Sequence, residues 1–232
     1  MRLAWLIVLA ACLGAAASQP STLPVVHIVL AGDSTVTAKI GWGNGFTASL
    51  SPRAEVTNLS KSGRSTKSYA DEGWWKQVLA AKPDYVLIQF GHNDQKPDAA
   101  RHTDPDTTYR QNLGTFIDQA RAAGIRPILV TSLSRRDWGP DGKIHSSLLA
   151  YVAAAKAEAA KDAVPLLDLH ARSIELYERL GKAEVDTMSP RLPTGGIDNT
   201  HLNAKGSAAV GPLVAVELSK VVPALAPYVE AK

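Results

Sequence analysis

Val25-Val26-His27-Ile28-Val29-Leu30-Ala31 runs straight into Gly32-Asp33-Ser34-Thr35, and the reading of this stretch decides the fold. Six of the seven residues before Gly32 are apolar, without the alternation of a strand that has one wet face. The segment is therefore expected to be a strand buried on both sides. Gly-Asp-Ser-Thr stops it, because these residues favour turns and helix starts over continued strand. A serine just past a buried first strand stands where open α/β sheets hold their ligands, beyond the carboxyl ends of the strands. Asp33 and Ser34 are also good residues for capping a following helix, so the serine alone does not establish chemistry.

Four further apolar segments read as strands: Arg53 to Leu59, Asp84 to Phe90, Ile125 to Leu133 and Val164 to Leu169. Between them lie helical patterns. One begins near Ser68, carries Trp74, Trp75, Val78 and Leu79, and ends at Pro83. Another is expected to start with Asp104 as N-cap and Pro105 in the first turn, followed by Tyr109, Leu113, Phe116, Ile117 and Ala120 at helical spacing. Leu148 to Ala163 is an alanine-rich helix, and Asn203 precedes a last helix from Ala204 to Val222. Strands alternating with helices predict an α/β protein: a three-layer α/β/α sandwich around a parallel sheet of about five strands. Residues 19–232 read as a single domain without a linker. Gly181 to Thr200 is long and irregular, the kind of loop that in a compact domain usually carries function.

Residues 1–18 follow another logic. Arg2, an apolar run to Leu13 and the small residues Gly14 to Ser18 make a secretory signal peptide, with cleavage near Ala17 or Ser18. The run is short for a membrane span. Cys12 is the only cysteine and lies inside this segment, so a mature chain has no thiol nucleophile and no disulfide. Leu9-Ala10-Ala11-Cys12 also resembles a lipoprotein processing site, which would anchor the protein to a membrane. The expected location is periplasmic or extracellular. With 45% apolar and 20% charged residues and a net charge of +3, the chain is neither disordered nor basic enough to argue for nucleic acid.

Ester hydrolysis needs a nucleophile, a base, a group that orients the base, and donors for the oxyanion. Ser34 supplies a hydroxyl and His201 an imidazole, and Asp198, three residues earlier, can fix the ring. Asn93 supplies an amide, and Gly63 a backbone N–H with no side chain in the way. The Gly-x-Ser-x-Gly elbow of α/β-hydrolases is absent around Ser34. Asp33 and Asp94 read as holders of turns, and His92 as a turn residue or a ligand contact.

Gly32-Asp33-Ser34-Thr35, Asn58 with Gly63-Arg64-Ser65, Gln89-Phe90-Gly91-His92-Asn93-Asp94 and Asp198-Asn199-Thr200-His201, in that order, resemble the SGNH (GDSL-like) hydrolase superfamily. The nearest likeness is its rhamnogalacturonan acetylesterase-like branch. The resemblance implies a flavodoxin-like sandwich and a triad of Ser34, His201 and Asp198. It also implies an oxyanion hole from the Ser34 and Gly63 N–H groups and the Asn93 amide, with no cofactor or metal. The implied substrate is an acetylated carbohydrate, most simply a pectic polymer, and the chain itself is expected to be a monomer. Arg64 adjoins the hole, with Lys39 and Lys67 near the same loops, and a positive rim would suit an acidic polymer. Arg135 to Thr187 carries no matching motif.

Three alternatives stay open at this stage. A general esterase or lipase for other short acyl esters needs the same machinery. A metal-dependent phosphoesterase could use Gly-Asp and Gly-His-Asn-Asp, but the early Asp-x-His and late paired histidines of a two-metal cage are missing. A carbohydrate-binding module would have no need of nucleophile, base, acid and hole together.

Overall fold

A computed structural model describes residues 23–230; the expected signal segment, with Cys12, lies outside them. Five strands form one sheet in the order β2-β1-β3-β4-β5. They are β1 (Val26–Gly32), β2 (Ala54–Asn58), β3 (Tyr85–Gln89), β4 (Arg126–Val130) and β5 (Leu166–Leu167), and every pairing is parallel. β1 is central, with Leu30 opposite Asn58 on one side and Leu87 on the other.

Successive residues of a strand point to opposite faces, and the two cores follow that period. Ile28 and Leu30 of β1, Leu87 of β3 and Ile128 and Val130 of β4 pack with Trp42, Phe46, Val210, Val214 and Leu218. Val29 and Ala31, Val86 and Ile88, and Leu129 pack on the other face with Tyr69, Trp75, Leu113, Phe116 and Ile117. Helices α1 (Gly43–Thr47), α6 (Leu169–Leu180), α7 (Lys182–Asp186) and α8 (Ala204–Val221) bury residues in the first core. Helices α2 (Thr66–Asp71), α3 (Trp74–Ala80), α4 (Thr108–Ala122) and α5 (Leu149–Lys161) bury theirs in the second. Ile28, Val29 and Leu30 are at most 1% exposed, and burying each contributes about 1.5–3 kcal/mol. That burial explains why an unbroken apolar run becomes the central strand. A closing 3₁₀ turn, Pro223–Tyr228, follows α8.

Several expected boundaries move for local reasons. The helix expected from Ser68 is two helices, because Gly73 in the left-handed region (φ +80°) breaks the run. It also begins earlier: Ser65 accepts from the Ser68 N–H while Ser68 Oγ accepts from the Ser65 N–H, a reciprocal cap. Asp104 is not the N-cap of α4. Its carboxylate takes the N–H groups of Asp106 and Thr107 at 2.9 Å, closing a turn, and regular helix starts at Thr108. The last strand shrinks to two residues because Asp168 caps α6 through the Ala171 N–H, so the chain turns helical at Leu169. The whole of α6, unassigned from sequence, buries Leu169, Ser173 and Tyr177.

Candidate active site

Beyond β1 the Asp33 carboxylate accepts from the Thr35 N–H (2.9 Å) and hydroxyl (2.7 Å), which folds the chain into a turn. Ser34 sits within that turn rather than capping a helix. Two other strand ends brace it: Gln89 of β3 donates to Thr35 Oγ1 at 2.6 Å, and Asn58 of β2 donates to the Val36 carbonyl at 2.9 Å. Ser34 is thereby held at the carboxyl end of the sheet, 7% exposed.

The loop before α8 brings up the partners. Asn203 caps that helix through the Gly206 N–H at 3.0 Å, and the residues before it present His201 to Ser34. His201 Nε2 lies 2.8 Å from Ser34 Oγ, and Nδ1 lies 2.8 Å from Asp198 Oδ2. The other Asp198 oxygen accepts from the backbone N–H of Thr200 (2.8 Å) and His201 (3.0 Å). Burial pushes the Asp198 carboxyl up, but the His201 N–H and ring and the Thr200 N–H outweigh it and hold its pKa below the ordinary value. An ionised Asp198 keeps the imidazole proton on Nδ1, leaving Nε2 to accept from the serine.

Three donors converge on the same end of the sheet. Among the described residues, neither the Ser34 nor the Gly63 backbone N–H has a hydrogen-bond partner. Gly63 has φ +79°, and a Cβ added there would meet nothing within 4 Å. Glycine is required by the backbone conformation, and the open space is its by-product. The Asn93 amide donates one N–H to the Arg64 carbonyl at 3.1 Å, which orients the group and leaves its second N–H uncommitted.

Asp94, next to Asn93, ties loops together, as its sequence position suggested. It accepts from the Thr66 N–H (3.0 Å) and hydroxyl (2.6 Å), from Thr103 Oγ1 (2.9 Å) and from the Gly91 N–H (3.0 Å). Burial nevertheless pushes its pKa up to about 6. His92 is buried at 3% exposure, with Nδ1 3.4 Å from Asp33 Oδ2. Arg64 is half-exposed, but its Nε donates to Glu72 at 2.8 Å, so its charge is already matched.

Arg136 is the residue that sequence reading passed over. Only 4% exposed, it donates through Nη2 to the Asp198 carbonyl at 2.9 Å and to the His201 carbonyl, and through Nε to Ser189 Oγ at 3.1 Å. Its own N–H meets the Asn199 carbonyl at 2.8 Å. One guanidinium thus satisfies carbonyls of a loop that has no secondary structure of its own. No motif signals it, since its partners lie more than fifty residues away.

A cavity of about 450 Å³ lined by Tyr85, Arg126 and Val164 lies at the amino ends of β3 and β4, the wrong end of the sheet for this chemistry. Among the described residues no cluster of His, Cys, Asp and Glu could hold a metal ion.

The geometry can be set beside known proteins. Residues 30–209 match the model of the GDSL-like lipase/acylhydrolase family. The chain is similar to the rhamnogalacturonan acetylesterase RhgT of Bacillus subtilis strain 168, at 40% identity over 207 residues, 82% of this chain and 88% of that one. It is 29% identical over 205 residues to a rhamnogalacturonan acetylesterase of Emericella nidulans, covering 79% of this chain and 80% of that one. The fold is similar to that of Axe2, an acetylxylan esterase from Geobacillus stearothermophilus, with a TM-score of 0.63 at 19% identity over 86% and 95% of the two chains. With the family model matched from β1 into α8, and with a relative this similar over most of both chains, the chain belongs to the GDSL-like lipase/acylhydrolase family, in its rhamnogalacturonan acetylesterase-like branch.

Proposed function

We propose that this protein is an exported serine esterase that removes acetyl groups from carbohydrate hydroxyls, its preferred substrate an acetylated pectic polymer of the rhamnogalacturonan type. The observation that carries the reading is the unbroken hydrogen-bonded line Asp198–His201–Ser34, ending beside three uncommitted donors. Ser34 Oγ attacks the acetyl carbonyl as its proton passes to His201 Nε2, and Asp198 stabilises the imidazolium that forms. The tetrahedral oxygen takes the Ser34 and Gly63 N–H groups and the Asn93 amide, donors already in place before charge develops. Collapse expels the sugar oxygen, which takes the proton back from His201. Water then attacks the acetyl-serine by the same route and releases acetate. The carbohydrate and its pectic nature rest on the names of RhgT and the Emericella nidulans relative.

The test measures acetate released from acetylated rhamnogalacturonan, acetylated xylan and short synthetic acetates, each with and without EDTA. The expected result is fastest release from rhamnogalacturonan, unaffected by chelation. Equal rates on xylan reduce the reading to a general carbohydrate acetylesterase, and activity confined to synthetic esters removes the carbohydrate. Loss of activity in EDTA overturns the serine mechanism.

A further inference from the structure

Arg135, beside the loop-holding Arg136, bridges three loops at the triad end of the sheet. Its Nε donates to Thr200 Oγ1 at 3.2 Å, one residue before His201. Its Nη1 donates to Ser147 Oγ at 3.0 Å. With the Gln95 amide oxygen turned toward it, Nη2 reaches that oxygen at 2.9 Å and Nη1 reaches it as well, and Gln95 stands two residues after Asn93. Each of these partners is neutral. Among the described residues no carboxylate lies within 4 Å of the guanidinium, whereas Arg64, Arg101, Arg110, Arg126 and Arg172 each have one.

The position is costly for an unmatched cation. The side chain is half-buried, and burial lowers its pKa, with Asp137, Asp33 and Asp198 pulling the other way at longer range. A guanidinium stays charged all the same, and those carboxylates offset its desolvation only at a distance, none of them within 4 Å. Ser147, at one edge of the guanidinium, is exposed, and Arg135 itself is partly exposed. Of the cations that sequence reading placed on the rim, Arg64 is paired with Glu72, and Lys39 is exposed and so carries little desolvation cost.

We propose that Arg135 is a specificity-determining residue that receives the carboxylate of a uronic acid unit neighbouring the acetylated sugar. The inference rests on the carbohydrate acetylesterase reading and adds to it the charge that the enzyme recognises and the residue that recognises it. Thr200, Ser147 and Gln95 take four of the five guanidinium N–H groups, and the one left on Nη2 can give a carboxylate a charge-assisted hydrogen bond from a cation held in one place. The tether to Thr200 places that recognition one residue from the proposed base.

The experiment compares wild type, Arg135→Gln and Arg135→Lys on acetylated rhamnogalacturonan in two forms: with free uronates, and with the uronates converted to methyl esters while the acetates are kept. Arg135→Gln is expected to lower kcat/KM on the free-acid polymer by about 10–100-fold, chiefly through KM, because the contact is made to the ground state as well as the transition state. The loss on the methyl-ester polymer should be at least about ten times smaller, with Arg135→Lys between, since it keeps the charge but not the tethers that hold it in place. Equal losses on the two polymers would make Arg135 only a tether of the Thr200 loop and overturn the inference. A wild-type enzyme indifferent to methyl esterification overturns it too while leaving the acetylesterase reading intact. No acetate from either polymer, with synthetic esters still cleaved, ends the carbohydrate reading and the inference together. If Arg135→Gln does not fold, the decision passes to Arg135→Lys, for which equal losses on the two polymers likewise overturn the inference.

Discussion

Ser34 contributes one hydroxyl and almost no packing, so its replacement separates chemistry from stability. Ser34→Ala should leave the thermal transition within about 1 kcal/mol of wild type while acetate release falls by a thousand-fold or more, since members of a triad act as a unit. A variant that keeps a tenth of wild-type turnover would remove Ser34 from the proposed role. Asn93→Ala deletes one donor aimed at developing charge, and kcat should drop by about 100–1000-fold with KM changed far less. A change confined to KM would make Asn93 a substrate contact. Arg136 acts at one remove, through the carbonyls of Asp198 and His201. It is a positioning residue.

Elements hold these residues in place through a few close contacts. Helices α1 and α8 cross glycine on glycine: a Cβ at Gly45 would overlap the Ser207 carbonyl, and one at Gly211 would overlap the backbone of Gly45 and Phe46. Neither obstacle is a side chain that can swing away. Gly211→Ala should therefore destabilise by about 1–3 kcal/mol or more, read as a lower urea midpoint at unchanged slope. A neutral outcome would mean that the helices separate freely. Asp94 joins α2, the loop after β3 and the approach to α4, and its titration belongs to the same scale. Its folded value of about 6 lies above the ordinary 3.8, so the folded chain holds the extra proton between them. Stability from this group is full below the lower value and lost as pH rises through the upper, amounting to about 3 kcal/mol. Urea titrations of wild type and Asp94→Asn should show the wild-type advantage shrinking from pH 4 to pH 7, because the variant lacks that proton. Parallel curves would show that Asp94 stays ionised.

At the scale of the whole molecule, the prediction concerns processing. The proposed signal segment puts Cys12 outside the mature enzyme, so mass spectrometry of the exported protein should find a chain starting near Ser18 or Gln19. A lipid-modified Cys12 at the N-terminus would replace export in free form with membrane anchoring.

The architecture was legible in the sequence because strands buried on both faces read as near-continuous apolar runs, as do Val25 to Ala31, broken only by His27, and Tyr85 to Phe90, broken only by Gln89. Ser34, Gly63, Asn93 and His201 could be named because each follows a strand end or precedes a helix that marks itself locally. The Asp198–His201 pair is legible for the same reason, three residues apart in one loop. What the tertiary structure alone decided are contacts whose partners are far apart in the chain. Arg136 reaches from residue 136 to the carbonyls of 198 and 201, and Arg135 from 135 to Thr200 and Gln95. The crossing of Gly45 on Gly211, and the matching of Arg64 by Glu72 that takes its charge out of play, are of the same kind. A local pattern records which way a backbone turns, since dihedral preferences act between neighbours. It carries no record of which buried charge finds a partner, because that depends on where the sheet brings distant loops together.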